Sequence, residues 1–433
     1  MDKNMIDTGI EWIGTIPASW KVERLQWQLE EINEKNNPIK TTNILSLTNK
    51  LGVVPYSEKG NQGNVAKENY DEYKVAYPDT IVANSMNILI GSVGYCNYFG
   101  CVSPVYYVFK SKQNSCIRFW NYVFQTQQFQ KELRKYANGI LEIRLRVSSS
   151  DILKRDVAVP SISVQEKVVQ YLDMKIADVE KLIAIQENQI ENLKLYKESE
   201  ITRVVTKGLN SMANMKDSGV EWIGDIPCEW VISKVKYLGT TQNGISKSSE
   251  FFGHGYPFVS YGDVYKNYSL PKEVDGLIES SDSDREIFSV REGDIFFTRT
   301  SETIDEVGFS AVCEKTIDNA CFAGFLIRLR PFEMNSKLNT LYAKYYFRSN
   351  LTRRYLVKEM NLVTRASLSQ DLLKSMIVLL PPLDEQKEIA MYLDKKCCLI
   401  EDLILRKQEK IKQLKEYKQN LIYEYVTGKK EVI

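Results

Sequence analysis

Along two stretches of the chain, apolar residues fall three and four residues apart, or a whole heptad apart. Between Val164 and about Thr206 they are Leu172, Ile176, Val179, Ile183, Ile190 and Leu193. From Glu385 to about Thr427 the same phase is held by Leu393, Cys397, Ile400, Ile404, Ile411 and Leu414. This spacing predicts two long amphipathic helices, each with an apolar seam. About 43 residues rising 1.5 Å each make a rod of roughly 64 Å. Gln186 and Lys407 occupy the same otherwise apolar seam position near the middle of each rod. Past Leu193 the stripe drifts through Tyr196, Ile201 and Val205.

Elsewhere the pattern is that of short strands and turns. Asn43–Val54, Asp79–Met86 and Cys101–Lys110 are rich in β-formers, as are Tyr256–Val264, Glu292–Thr300 and Cys321–Arg330. Gly and Asp before the apolar runs mark turns that lead into strands. An aromatic segment with helical character follows in each set, Phe119–Tyr136 and Leu341–Met360, the second carrying Arg348, Arg353 and Arg354.

These elements form an internal repeat. GIEWIGTIPASW at Gly9–Trp20 returns as GVEWIGDIPCEW at Gly219–Trp230, and Pro160–Thr206 returns as Pro381–Thr427. Gln165/Gln386, Tyr171/Tyr392, Asp173/Asp394 and Tyr196/Tyr417 are among the matched pairs. Between these bookends the copies diverge. The large aromatics of the opening read as packing anchors. The predicted organisation is a first α/β domain over 1–160, a rod over 161–207 and a polar linker over 208–218. A second α/β domain then spans 219–382 and a second rod 383–428. Because rod 1 delivers the chain to the second domain and rod 2 leaves from it, packed rods would run antiparallel. Gln186 and Lys407 would then lie close enough to set register.

Composition narrows the classes. The chain has 433 residues, 43% hydrophobic and 26% charged, enough for two or three globular domains. No apolar run is long enough to span a membrane, and the first residues lack a signal-peptide core, so a cytoplasmic location is expected. Eight cysteines form no CxxC and there is a single histidine, His254, which excludes a Cys/His zinc site. A hydrolase triad would have to rest on His254 alone, in a glycine-flanked turn. No phosphate loop, dinucleotide fingerprint or Asn-Pro-Pro-aromatic tetrad occurs, and carboxylates such as Asp294 and Glu302 show no metal spacing. The weight falls on binding.

Two similar units on a rigid spacer suit a partner that itself repeats, and duplex DNA presents matching faces about every 34–36 Å. A net charge of +1 is compatible with local basic surfaces. The side chains that contact phosphates and base edges stand on predicted loops at Thr48, Asn49, Lys50, Asn84, Ser85, Tyr261, Asp263, Thr298, Arg299 and Thr300.

The paired EWIG-x-IP-x-x-W openings, PSISVQEKVVQYLD at Pro160 and PPLDEQKEIAMYLD at Pro381 resemble the specificity subunit of a type I restriction–modification enzyme. YPFVSYGDV and EGDIFFTRT look like strands of its target recognition domains. The resemblance covers the whole length. It departs at the first rod, where Ser161 and Val164 stand in place of Pro382 and Glu385. It implies an α/β (α+β) fold: two pseudo-two-fold-related target recognition domains separated by two long antiparallel coiled-coil helices. Each domain would read half of a bipartite DNA site, and the rods would set the gap. It implies two methyltransferase subunits, docked along the rods and domains, and restriction subunits as partners. S-adenosylmethionine, ATP and Mg would be bound by those partners, with no cofactor, metal or catalytic residue in this chain. A nuclease with a cryptic site and a dimerising structural protein are the competing readings.

Overall fold

The computed structural model describes residues 4–48, 52–60, 69–139, 145–301, 307–332, 337–359 and 366–432. The two seam patterns become continuous helices, Ile162–Lys207 of 46 residues and Leu383–Val426 of 44. Prolines 160, 381 and 382 precede them, where a missing N–H costs nothing. Each helix runs out into a glycine, Gly208 at φ 74° and Gly428 at φ 72°, the left-handed turn that closes a helix without a Cβ clash.

The chain forms two compact units: Met1–Glu187 with Gln408–Ile433, and Asn188–Lys407. Each unit therefore owns the first half of one long helix and the last half of the other. In the first unit, Tyr171 packs on Tyr425 at 4.6 Å between ring centres, and Lys418 pairs with Glu180 at 2.6 Å. In the second, Tyr392 donates to Glu200 at 2.6 Å, Lys197 pairs with Glu401, and Lys407 donates to Gln189 at 2.6 Å. Residue numbers fall on one helix as they rise on the other, so the halves are antiparallel within each unit. Leu172, Ile176, Val179 and Ile190 are buried, as are Leu393, Cys397, Ile400 and Ile411. Ile183, Gln186, Leu193, Ile404, Lys407 and Leu414 are half-buried.

Around its helices each unit builds the same four-stranded antiparallel sheet. Its strand order in the first unit is Leu29–Ile32, Tyr106–Ser111, Thr80–Asn84, Val93–Cys96. In the second it is Gly239–Asn243, Leu326–Pro331, Ile295–Thr298, Ser310–Val312. Alternate residues face opposite sides of a strand, and here both faces are buried. Ile81, Ala83 and Phe109 join the core that includes the helix residues Val168, Leu172, Leu421 and Ile422. Val82, Tyr106 and Val108 face a separate layer with Leu45, Leu47 and Val102. In the second unit Ile295, Phe297 and Leu329 face the helix-side core, with Ile201, Val204, Ile389 and Leu393. Phe296, Ala311 and Leu326 face the other layer, with Phe258 and Phe322.

Local signals redirect several expected elements. The strand predicted to run to Val264 stops at Val259, because Ser260 and Asp263 form a capping box that starts the helix Tyr261–Lys266. The aromatic segment from Phe119 splits into Ile117–Gln125 and Gln127–Arg134, with Thr126 extended at the joint and its hydroxyl accepting from Phe129 N–H. Its counterpart splits likewise, into Thr340–Tyr346 and Asn350–Glu359. Within 208–218, Met215–Asp217 is a strand paired with Asp225–Pro227, repeating Met5–Asp7 on Thr15–Pro17.

The repeated openings hold the helix ends inside each unit. Tyr423 donates to Trp12 O at 3.1 Å and Lys429 to Ile13 O at 2.6 Å, while Lys207 reaches Asp225 O. Trp12, Trp20 and Trp230 are buried, as packing anchors should be. Glu385, the residue that replaces Val164, accepts from Trp230 Nε1 at 2.9 Å. Burial pushes its carboxyl above the usual range, and the indole bond opposes that.

The helix starts are pinned by a matched pair of buried glutamines. Gln165 accepts from Cys116 N–H at 2.9 Å and donates to Pro160 O at 3.0 Å. Gln386 accepts from Asn339 N–H at 2.8 Å and donates to Lys337 O and Pro381 O at 2.8 and 2.9 Å. Both are completely buried. A buried backbone group left unpaired costs about 1–3 kcal/mol. Gln165→Ala or Gln386→Ala should therefore cost about 2–4 kcal/mol in urea unfolding of the full chain. A loss under about 0.5 kcal/mol, the scatter of ordinary surface changes, would refute the role.

Candidate nucleic-acid interface

Sheet register places two of the sequence candidates at equivalent positions. Asn84 lies opposite Tyr106 at the end of its central strand, and Thr298 lies opposite Leu326 at the end of its own. Ser85 and Arg299 follow at the points where the chain leaves the two sheets. Asn84 and Thr298 are buried and shape the exit. The Asn84 side chain accepts from Met86 N–H at 3.1 Å, and the Thr298 hydroxyl accepts from Phe309 N–H at 2.9 Å. Ser85 is buried as well. Arg299 is held through its backbone, donating to Phe325 O at 2.9 Å and accepting from Leu368 N–H at 2.7 Å. Its half-buried side chain has no ion pair among the described residues. Thr300 pairs with Ser367 in a two-residue ladder.

In the second unit the candidates gather in one place. Tyr261 stacks on Tyr265 at 5.8 Å, and Tyr265 meets Phe309 edge-on at 5.1 Å, beside Thr298. Asp263 is engaged in its capping box, accepting from Ser260 N–H at 2.8 Å and from the Ser260 hydroxyl at 2.7 Å. Sequence reading missed the residues that complete this cluster. The guanidinium groups of Arg348 and Arg353 both lie 4.9 Å from the Phe309 ring, and Arg348 is also 4.7 Å from Tyr268. Burial pulls the Arg348 guanidinium below its ordinary pKa. The basic run on the aromatic helix carried that signal, although nothing in the sequence aimed it at Phe309.

In the first unit the corresponding space is open. A groove of about 690 Å³ is lined by Thr48, Gly91, Tyr95, Arg118, Asn121 and Gln419, among others. The Asn121 and Gln419 side-chain oxygens are buried without a hydrogen-bond partner among the described residues. Arg118 pairs with Asp173 at 2.9 Å, and Tyr122 donates to the same carboxylate at 2.7 Å. Burial, ahead of its bond to Asp79, pushes the Tyr95 phenol up to about 12. Thr48 is buried at this wall, its hydroxyl 3.3 Å from Gly52 O. Asn49 and Lys50 lie outside the described residues.

The second sheet also carries buried charge on its divergent face. Asp294, fully buried, receives Arg330 through two bonds of 2.7 Å. Arg328 lies beside them, 95% buried, donating to Ser289 O at 2.6 Å and to Gln242. Burial draws its guanidinium down to about 10. Val108 holds the matching position of the first unit, facing its partner strand at Val82 as Arg328 faces Phe296. His254 is exposed between Gly253 and Gly255, both at positive φ, with Nε2 3.2 Å from Glu279. Among the described residues no group of His, Cys, Asp and Glu is arranged to hold a metal ion, and no helix is long and apolar enough to cross a membrane.

Residues 227–416 match the family described as the type I restriction modification DNA specificity domain. The chain is 24% identical over 253 residues to the EcoKI specificity subunit of Escherichia coli K12, a match covering 57% of this chain and 51% of that one. It thus spans about half the length of that relative. It is 23% identical to the putative MjaX specificity subunit of Methanocaldococcus jannaschii, across 96% of this chain and 95% of the relative. In fold it is similar to a chain solved in work on complex assembly and conformational transition of the type I R-M system. That likeness has a TM-score of 0.72 at 15% identity, covering 95% of this chain and 98% of the other. The HsdS subunit from Thermoanaerobacter tengcongensis is similar at TM-score 0.55 and 16% identity, with the same coverage.

Asp294→Asn would leave Arg328 and Arg330 adjacent in a buried layer without their counter-charge. Breaking such a pair costs about 3 kcal/mol or more, expected as an earlier urea transition. Unchanged stability would show that the layer does not depend on the carboxylate.

Proposed function

We infer the function from family and fold together: the chain is a specificity subunit of a type I restriction–modification system, and we propose that each α/β unit reads one half of a bipartite duplex site. Specificity subunits recognise DNA and leave catalysis to partner chains. In this reading the partners are two methyltransferase subunits, which bind S-adenosylmethionine and modify adenine, and restriction subunits that use ATP and Mg. The work is done on DNA in the cytoplasm.

One observation carries the reading. The two sheets share strand order, helix contacts and buried glutamines, while the residues on and beyond their other face differ, as Val108 and Arg328 do. A shared scaffold with two different outer layers suits a partner with two different half-sites. The helices support the spacer role. Each is continuous, and 46 residues extend about 69 Å, close to two turns of duplex at about 34–36 Å each. The seam of Leu172, Ile176, Val179, Ile183, Gln186, Ile190 and Leu193 with Leu393, Ile400, Ile404, Lys407, Ile411 and Leu414 would hold the gap constant. The strand-exit turns, with Arg299 foremost, are the proposed contact points, and Tyr261 with Arg353 the flanking surface.

Mapping methylated adenines in a host that carries this chain with its cognate methyltransferase subunit tests the reading. The expected motif has two unlike halves around a fixed gap, and a single continuous motif would overturn it. Removing one heptad from each helix at matched places should change the gap and leave both half-sites intact. An unchanged gap would defeat the spacer role. Arg299→Ala should weaken recognition of one half-site by about 1–3 kcal/mol if it reads a base, and leave the other untouched. Equal weakening across all DNA sequences would reduce Arg299 to a phosphate contact.

A further inference from the structure

A second surface is kept in duplicate where the DNA-reading layers are not. After each opening motif the chain makes an outer strand, Lys21–Arg24 or Val231–Lys234, then one short turn of helix, Leu25–Trp27 or Val235–Tyr237. Trp27 and Tyr237 hold the same place in the two turns, and both point outward, 63% and 65% exposed. The neighbours preserve the pattern. Val22 and its counterpart Ile232 are exposed, while Leu25 and Val235 are buried. In the first unit Val22 and Trp27 line one shallow depression. Lys112 borders it, bonded through its backbone to Gln28 and lying 6.0 Å from the Trp27 ring. In the second unit Phe332 makes the same backbone bond, to Leu238, and is exposed. Lys236 lies 4.8 Å from the Tyr237 ring.

A lone exposed aromatic on a protein surface is ordinary. An exposed aromatic and an exposed aliphatic kept at matched positions, in two copies that otherwise diverge, mark a surface used twice. Both copies keep the apolar pair and place cations near it, Arg24 and Lys112 in the first, Lys234 and Lys236 in the second; what differs is the carboxylates. Glu23 and Asp156 flank Trp27, whereas Ser233 and Ile377 hold those places in the second unit. A polyanion bound in common would meet carboxylates at the first patch. A protein bound through an apolar anchor would not be hindered there, and Trp and Tyr are the residues most enriched among such anchors. Among the described residues the outer strands are paired on one side only, in two-stranded sheets, which leaves room for a neighbour.

We propose that Val22 with Trp27, and Ile232 with Tyr237, are matched docking sites for two copies of one partner protein, the methyltransferase subunit. The proposal rests on the specificity-subunit reading and adds to it the place where each copy binds. The two sites need not bind equally, because Phe332 enlarges the second where Lys112 borders the first.

The test is subunit loading. The full chain and the variants Trp27→Ser, Tyr237→Ser and the double change are mixed with the cognate methyltransferase subunit, and bound copies are counted by native mass spectrometry across a titration. Both side chains are exposed, so the variants should fold as wild type; Trp27→Arg and Tyr237→Arg provide a second pair. Each single change should leave one copy bound normally and weaken the other at least about tenfold, the loss typical of an interface anchor. The double change should weaken both. Two copies bound at wild-type strength by the double variant would overturn the docking proposal, and so would normal loading with lost DNA binding. In those cases adenine methylation by the wild-type complex at a bipartite site would leave the specificity reading standing. A wild-type chain that loads no methyltransferase subunit would end both.

Discussion

Neither unit can close its core with its own repeat alone. In the first, Leu421, Ile422, Tyr425 and Val426 are buried against Trp12, Trp20 and Leu172, from the far end of the sequence. In the second, Ile201, Val204 and Val205 fill the corresponding place against Ile226, Trp230 and Leu393. Burying an apolar side chain contributes about 1.5–3 kcal/mol, so four contribute on the order of 6–12. A whole domain's net stability is only about 5–15 kcal/mol. The helix ends are therefore structural members of the units, which is why the opening motifs and the helices are the parts of the repeat that stay alike.

That constraint also divides the surface of each sheet. One face must match the helices, so Ile81, Ala83 and Phe109, and Ile295, Phe297 and Leu329, stay apolar. The opposite face only has to be covered. The first unit covers it with an aliphatic layer around Val82 and Val108, and the second with an aromatic layer that also buries Arg328 and Asp294, with half-buried Arg330 at its edge. A buried charged group survives only where its bonds are met. The bidentate Arg330–Asp294 pair and the Ser289 carbonyl meet most of them here. Change can accumulate on this face without disturbing the helix contacts, a physical basis for two different surfaces on one scaffold.

The candidate site was legible in position more than in detail. Asn84–Ser85 and Thr298–Thr300 fall at the ends of both central strands, because turn-forming polar residues follow apolar runs there. Which side chains would be free could not be read in the same way. Thr298 and Asn84 are consumed by backbone hydrogen bonds, and Asp263 by a capping box, whereas Arg299 keeps its guanidinium without an ion pair among the described residues. Arg348 and Arg353 acquire meaning only beside Phe309, which lies about forty residues away in sequence.

By itself the sequence determined the periodic and the repeated. Two seams of three-and-four spacing can only be long helices, and matched openings with matched glutamines can only be one scaffold used twice. Those signals are local, written within a few turns or copied outright. The tertiary structure decided which helix half completes which unit, and that Gln165 and Gln386 are buried splices. It also decided that Trp27 and Tyr237 face outward while Trp20 and Trp230 face in. An aromatic at a turn has the same local preferences in either case. Only the packing of distant segments settles whether its ring meets a core or stays exposed.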